Sequence, residues 1–180
     1  MSTAKKTIIE LHRDSVEQFH EKAKFPIALV LDNVRSLNNI GSMLRTSDAF
    51  AVERVELCGI TATPPSPEIH KTALGAEMSV NWHYHATTLQ AVEQLRAEGW
   101  TVCAIEQAHN SVSLESFQVQ PDKKYALIMG HEVYGVDQAV VDAADFCIEL
   151  PQYGTKHSLN VAVTAGIAIW HFAQPSIRRS

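Results

Sequence analysis

The sequence predicts an α/β fold, a mainly parallel sheet with helices on both faces. Three observations lead there. Strand-like and helix-like segments alternate from Ile27 to Phe172, the order that builds parallel pairs joined by right-handed crossovers. The strand-like stretch "IALVLD" (27–32) is apolar almost without a break, as in strands buried on both faces. The last helical stretch carries no Asp, Glu, Lys or Arg from His157 to Ile177, whereas a surface helix keeps a charged face in water.

The elements follow in order. Ser15 to Lys24 reads as an amphipathic helix within an N-terminal arm, residues 1–25. Pro26 opens the main domain, 26–174, and residues 175–180 form a tail. Ile27 to Asp32 is a strand, and "NNIGSMLRTSDAFAV" a helix capped by Asn38 or Asn39. Arg54 to Ile60 is the second strand. A Pro-rich loop then leads to a short helix at Glu68 to Leu74. Ser79 to His85 alternates as a half-exposed strand does. "TTLQAVEQLRAEG" is a helix capped by Thr87 or Thr88 and stopped at Gly99. Trp100 to Glu106 is a strand, "SVSLESFQVQPDK" a loop, and Lys124 to Gly130 a strand. "VDQAVVDAA" makes a short helix, "FCIEL" the last strand, and the uncharged stretch the last helix.

The chain has 180 residues, 46% hydrophobic and 19% charged, which suits one domain with a sizeable core. Its net charge of −5 announces no nucleic-acid partner, although local patches outweigh the total. Cys58, Cys103 and Cys147 are widely spaced in apolar runs and read as reduced, buried thiols. With no apolar signal core at the N-terminus, they point to the cytoplasm. The uncharged stretch is interrupted by Ser158, Asn160, Thr164, His171 and Gln174 and falls short of the roughly 20 apolar residues of a membrane span.

In such sheets ligands bind beyond the carboxyl ends of the strands. Three strand ends carry polar or glycine-containing clusters: "LDNVRSLNNIGSMLRTSDAF", "IMGHEVYGV" and "ELPQYGTKHSLN". The dinucleotide fingerprint, the phosphate-binding loop and the serine-hydrolase elbow are all absent. His83 and His85 share one strand face, but two histidines do not close a zinc site, so they read as a surface pair and no metal is expected. Trp82, Tyr84 and Trp100 read as core or interface aromatics.

Together the three clusters resemble the signature motifs of the SpoU/TrmH branch of the SPOUT RNA methyltransferases. "NIGSMLR" with "TSDAF" looks like the first, "IMGHEVYGV" like the second and "LPQYGTKHSLNVAV" like the third. The resemblance covers Ile27 to about Phe172. It departs at His131, where relatives often carry Asn or a small residue; little effect is expected, because the backbone at that position matters most.

The resemblance implies a C-terminal deep trefoil knot and a homodimer, with the last helix covered by its own domain and by a partner subunit. It implies transfer of a methyl group from S-adenosyl-L-methionine to a ribose 2′-hydroxyl of RNA, tRNA more than ribosomal RNA. Only about 25 residues precede the first strand, too few for a separate RNA-binding domain. Met129, Gly130, Ile148, Leu150 and Leu159 would bind the cofactor. Arg45 would be the main catalytic residue. A guanidinium is protonated below about pH 12, so clamping phosphate and stabilising alkoxide charge suit it better than acting as a base. Asn39 and Asn160 would orient Arg45 and the loops, and Ser158 would cap the last helix and face the substrate. Glu132 either fixes the second loop or is an exposed acid. Arg35, Lys71, Lys156 and His157 would contact RNA, aided by basic residues at both chain ends. Two other readings remain open: a non-catalytic RNA-binding module, and a methyltransferase acting on a base nitrogen.

Overall fold

The computed structural model describes residues 3–7 and 9–178. Arg179, one of the terminal basic residues, lies outside them. After a 3-10 turn at Ile9–Leu11, the elements are α1 (Val16–Glu21), β1 (Phe25–Asp32), α2 (Leu37–Ala49), β2 (Val52–Cys58), α3 (Pro67–Ala73), α4 (Ala76–Ser79) and β3 (Trp82–His85). There follow α5 (Thr88–Ala97), β4 (Trp100–Ile105), β5 (Val112–Ser113), β6 (Lys124–Met129), α6 (Gln138–Ala143), β7 (Phe146–Glu149) and α7 (Val161–Ile177).

The strands form one sheet in the order β3-β2-β1-β6-β4-β7-β5. Every pairing is parallel. The continuous apolar runs explain the centre: Ile27 to Leu31 of β1 and Ala126 to Met129 of β6 are almost fully buried. One apolar cluster lies under α2, α3 and α7, and a second under α5 and α6. Helices therefore cover both faces. The chain winds outward through β2 and β3, then returns so that β6 enters beside β1 and β4 beside β6. Such a reversal opens a crevice beyond the strand ends. Loops after β1, β4, β6 and β7 rim it.

Several local expectations are corrected. Ser36 caps α2, accepting from Asn39 N, instead of Asn38 or Asn39, because the helix begins two or three residues earlier than those caps require, at Leu37. Asn160 caps α7 in place of Ser158, its Oδ1 accepting from Ala162 N and Val163 N. The helix runs through Pro175 to Ile177. α4 and β5 were not foreseen. With four and two residues they are too short to show a period.

The His83 and His85 pair is not a plain surface feature. Glu56, 1% exposed on neighbouring β2, sits 2.8 Å from His85 Nε2, 3.6 Å from His83 Nδ1 and 2.7 Å from Arg54 Nε. A buried carboxylate requires such partners. Trp100 is buried in the core and Tyr84 is exposed. The three cysteines are free. Burial pushes the Cys58 thiol up to about 12 and raises that of Cys103 too. No helix among the described residues is long and apolar enough to cross a membrane.

α7 packs Ala165, Ala168, Ile169, Phe172 and Ala173 against the sheet and α2. Its other face exposes Val163, Ile167 and Trp170, each about half accessible. These residues sit three or four apart and so form one stripe.

Candidate active site

Past the end of β6 the chain folds back on itself. His131 and Gly135 exchange both backbone hydrogen bonds at 2.9 Å. Gly130 is pressed against the backbone of Gly135 and Val136, where any side chain would collide. Gly135 has φ +70°, a left-handed conformation that favours glycine. The resulting tight loop walls a pocket of about 570 Å³, a size common for small-ligand sites. The other walls are Ile105, Glu106 and Gln107 after β4, Leu150 and Gln152 after β7, and His157 to Val161 at the start of α7.

A chain of side-chain hydrogen bonds ties three loops together beside this pocket. Glu132 Oε1 accepts from Asn39 Nδ2 at 2.9 Å and Ser36 N at 2.8 Å, while Oε2 accepts from Arg35 N at 3.1 Å. Asn39 Oδ1 in turn accepts from Asn160 Nδ2 at 3.1 Å. Partial burial pushes the Glu132 carboxyl up, but the Asn39 amide and the two backbone N–H groups outweigh it and its pKa is lowered. Glu132 is thus neither a free acid nor a brace for its own loop alone. It fixes the start of α2.

The structure sorts the other expected site residues. Met129, Gly130, Leu150, Ser158 and Leu159 line the pocket together with Glu132, His157 and Asn160. Ile148 does not; it is fully buried in β7 beneath, and its carbonyl accepts from Glu106 N. Arg45 is exposed on α2 and is not among the pocket-lining residues. Arg35 and Lys156 are exposed near the crevice. Lys71 lies on α3, paired with Glu68 at 2.7 Å, and does not line the pocket.

Two carboxylates escaped the sequence reading. Glu106 Oε2 accepts from Val136 N at 2.8 Å and Oε1 from Gln107 N at 2.8 Å. Asp32, 1% exposed, accepts from Asp137 N at 2.8 Å, Asn33 Nδ2 at 2.9 Å and Thr88 Oγ1 at 2.5 Å. Together they tie the loop after β6 to β4 and β1. The signal was present: "IALVLD" and "VCAIE" each end an apolar strand on an acid, and a carboxylate so placed needs donors waiting for it.

The side chain of His131 is also engaged, in addition to the backbone expected to matter most. Its Nδ1 accepts from Val133 N at 3.0 Å and Tyr134 N at 3.4 Å. Among the described residues no cluster of His, Cys, Asp or Glu is arranged to hold a metal ion. The pocket suits an organic cofactor instead: a close-packed glycine cradle, exposed loop backbone and the apolar walls Met129, Leu150 and Leu159.

Comparison with known proteins agrees with this arrangement. The 23S rRNA (guanosine(2553)-2′-O)-methyltransferase of Bacillus subtilis is 32% identical over 148 residues, 79% of this chain and 56% of that one. An AdoMet-bound rRNA methyltransferase from Sinorhizobium meliloti superposes with a TM-score of 0.78 at 27% identity, covering 87% of this chain and 59% of that one. The chain thus spans little more than half of each. The A. aeolicus TrmH/SpoU tRNA modifying enzyme shares the fold, with a TM-score of 0.78 at 23% identity over 91% of this chain and 83% of that one. A model of the SpoU rRNA Methylase family matches residues 26–170, a span that holds most of β1, the three loops that wall the pocket and most of α7, and the chain therefore belongs to that family.

Proposed function

We propose that this protein transfers a methyl group from S-adenosyl-L-methionine to a ribose 2′-hydroxyl of RNA. The observation that carries the reading is the Glu132–Asn39–Asn160 hydrogen-bond chain, which joins three distant loops beside one small-molecule pocket. The junction holds the start of α2, the loop after β6 and the start of α7 in one register beside the cavity, and a family whose relatives include an AdoMet-bound enzyme supplies the chemistry.

When bound, the cofactor supplies an electrophilic methyl group. The residues do the rest. The backbone of Gly130 to Gly135 and of Ser158 to Asn160 offers hydrogen-bonding groups, while Met129, Leu150 and Leu159 supply apolar contact. Asn39 and Glu132 set the start of α2, the helix that carries Arg45. Arg45 holds RNA phosphate and stabilises the charge that develops on the ribose oxygen as the hydroxyl gives up its proton to water. Arg35 and Lys156 extend the positive rim, with His157 at the pocket wall as a further RNA contact and Lys71 on α3. Selection of the 2′-hydroxyl restricts the substrate to RNA.

Three finer points belong to this reading. The substrate is tRNA, with the exposed cations Lys5, Lys6 and Arg13 in the N-terminal segment as further phosphate contacts; the rRNA enzymes among the relatives favour the other RNA. The α7 stripe of Val163, Ile167 and Trp170 is covered by a second copy of the chain, because an exposed apolar stripe of this kind marks an interface. The segment from β7 to α7 threads a deep trefoil knot in the cytoplasmic protein. Pulling the chain by its termini would then leave the unfolded contour short of the roughly 3.6 Å per residue of an open chain, and full extension would exclude the knot.

The test is incorporation of labelled methyl from S-adenosylmethionine into separate unmodified tRNA and ribosomal RNA fractions, followed by nucleoside analysis. A 2′-O-methyl nucleoside from tRNA is expected. Label in ribosomal RNA would correct the substrate, and a methylated base would correct the acceptor. Absence of both transfer and cofactor binding would leave a non-catalytic RNA-binding module.

A further inference from the structure

The loop from Gly130 to Val136 is the tightest feature of the pocket wall. Three side chains fasten it, one of them Glu132, which ties it to the start of α2. Glu106 reaches from the end of β4 and takes Val136 N at 2.8 Å. His131 acts from inside the loop. Its backbone closes the bridge to Gly135, and its ring turns inward so that Nδ1 accepts from Val133 N at 3.0 Å and Tyr134 N at 3.4 Å. Only an unprotonated Nδ1 can accept, so the ring proton sits on Nε2. The ring also lies against Tyr134, centroids 4.9 Å apart and planes 34° apart. His131, Val133, Tyr134 and Gly135 all line the pocket.

These contacts matter at the tip of the loop, beyond the anchor that Glu132 makes to Arg35 N, Ser36 N and Asn39 Nδ2. Val133 and Tyr134 are 68% and 85% exposed, so apolar burial does not hold them. Without the Nδ1 acceptor, their two N–H groups would turn to water, and the loop between the bridge residues would be free to adopt other shapes. A ligand bound mainly by backbone groups depends on those groups being already in position.

We propose that His131 is a positioning residue for the methyl-donor pocket: its Nδ1 takes the place of an Asx-type side-chain acceptor and fixes the backbone of residues 132–135 before the ligand arrives. The inference rests on the methyltransferase reading for the identity of the ligand, but not for the pin itself. Asparagine is the informative replacement. Its Oδ1 is as many bonds from Cα as Nδ1 and accepts from backbone two and three residues on. Glutamine is one methylene longer and puts the acceptor in the wrong place.

The experiment compares wild type with His131→Asn, His131→Ala and His131→Gln. Calorimetric S-adenosylmethionine affinity should fall about tenfold in H131A and H131Q and recover to near wild type in H131N, as expected for two modest hydrogen bonds. The KM for the cofactor should rise in H131A while kcat at saturation stays nearly unchanged. Amide exchange at Val133 and Tyr134, measured without ligand, should quicken in H131A and H131Q and slow again in H131N. Equal affinity in H131A and wild type, or an H131N no better than H131A, would overturn the proposal. If wild type does not bind S-adenosylmethionine, the methyl-donor reading fails; the exchange pattern then still decides whether His131 pins the loop.

Discussion

Asn160 Nδ2 donates to Asn39 Oδ1 at 3.1 Å, and the same Asn160 caps α7 through its own Oδ1. One side chain therefore both starts the last helix and registers it against α2. Replacing Asn160 with Ala removes the cap at a cost of about 1 kcal/mol. The melting temperature should fall by roughly 2–4 °C for a chain of this size, and methyl transfer by more than tenfold because the loops lose register. Thermal denaturation and the transfer assay read the two effects. A stability loss with full activity would show that the cap matters and the Asn39 contact does not.

Glu132 gives a pH signature. Its folded-state carboxyl is lowered from the ordinary carboxylate value of 4.5. The stability it contributes is thus fully present above that value and is lost as pH falls through the lowered one. Glu132→Gln should be less stable than wild type at neutral pH, and the gap should close in acid below pH 4. Chemical denaturation at a series of pH values checks this, and a constant gap across the series would contradict it.

Arg45 is exposed on α2 and carries the proposed charge-stabilising role. Arg45→Ala should lose methyl transfer by a hundredfold or more, on the order of one oxyanion-type donor, while S-adenosylmethionine binding stays within about twofold. Wild-type transfer in this variant would remove Arg45 from the mechanism.

Gly41 sits where α2 crosses α3, against Thr72 Oγ1 and the Ile69 carbonyl, and an added methyl would collide with both. Gly41→Ala should cost about 1–3 kcal/mol through overpacking, despite the better helix propensity of alanine. Denaturant titration would show it as a lower midpoint. An unchanged midpoint would mean that α3 yields freely.

Trp170→Lys tests the α7 stripe. Trp170 is half exposed, touching Phe50 edge to face at 5.8 Å. Sedimentation should show a dimer for wild type and a monomer for the variant, each with unchanged circular dichroism. A wild-type monomer would leave the stripe without its proposed partner.

The centre of the sheet was legible because β1, β4 and β6 are largely apolar runs, and a parallel sheet is the arrangement that buries both faces of such runs. The pocket walls were legible because glycines and polar residues follow those runs abruptly. Cap assignments at α2 and α7 were not, since Ser36, Asn38 and Asn39, or Ser158 and Asn160, all suit a cap locally. Tertiary contacts decided: Asn39 is taken by Glu132 and Asn160, leaving Ser36 to close the helix. Glu106 and Asp32 were missed for a related reason. The partners that tie them to the loop after β6, Val136 N and Asp137 N, are backbone N–H groups far away in sequence, and no spacing rule reports those.

The position of β6 has a consequence for how the molecule comes into being. β1 pairs with β2 on one side, and these strands are close in sequence. On the other side Ile27 to Leu31 must wait for Tyr125 to Met129. During synthesis the first three strands emerge with one apolar sheet edge unmatched until most of the chain has followed. Long-range pairings of this kind slow folding and leave early intermediates prone to aggregate. The growing chain thus depends on late arrivals, and a premature stop before β6 yields a sticky fragment instead of a smaller domain.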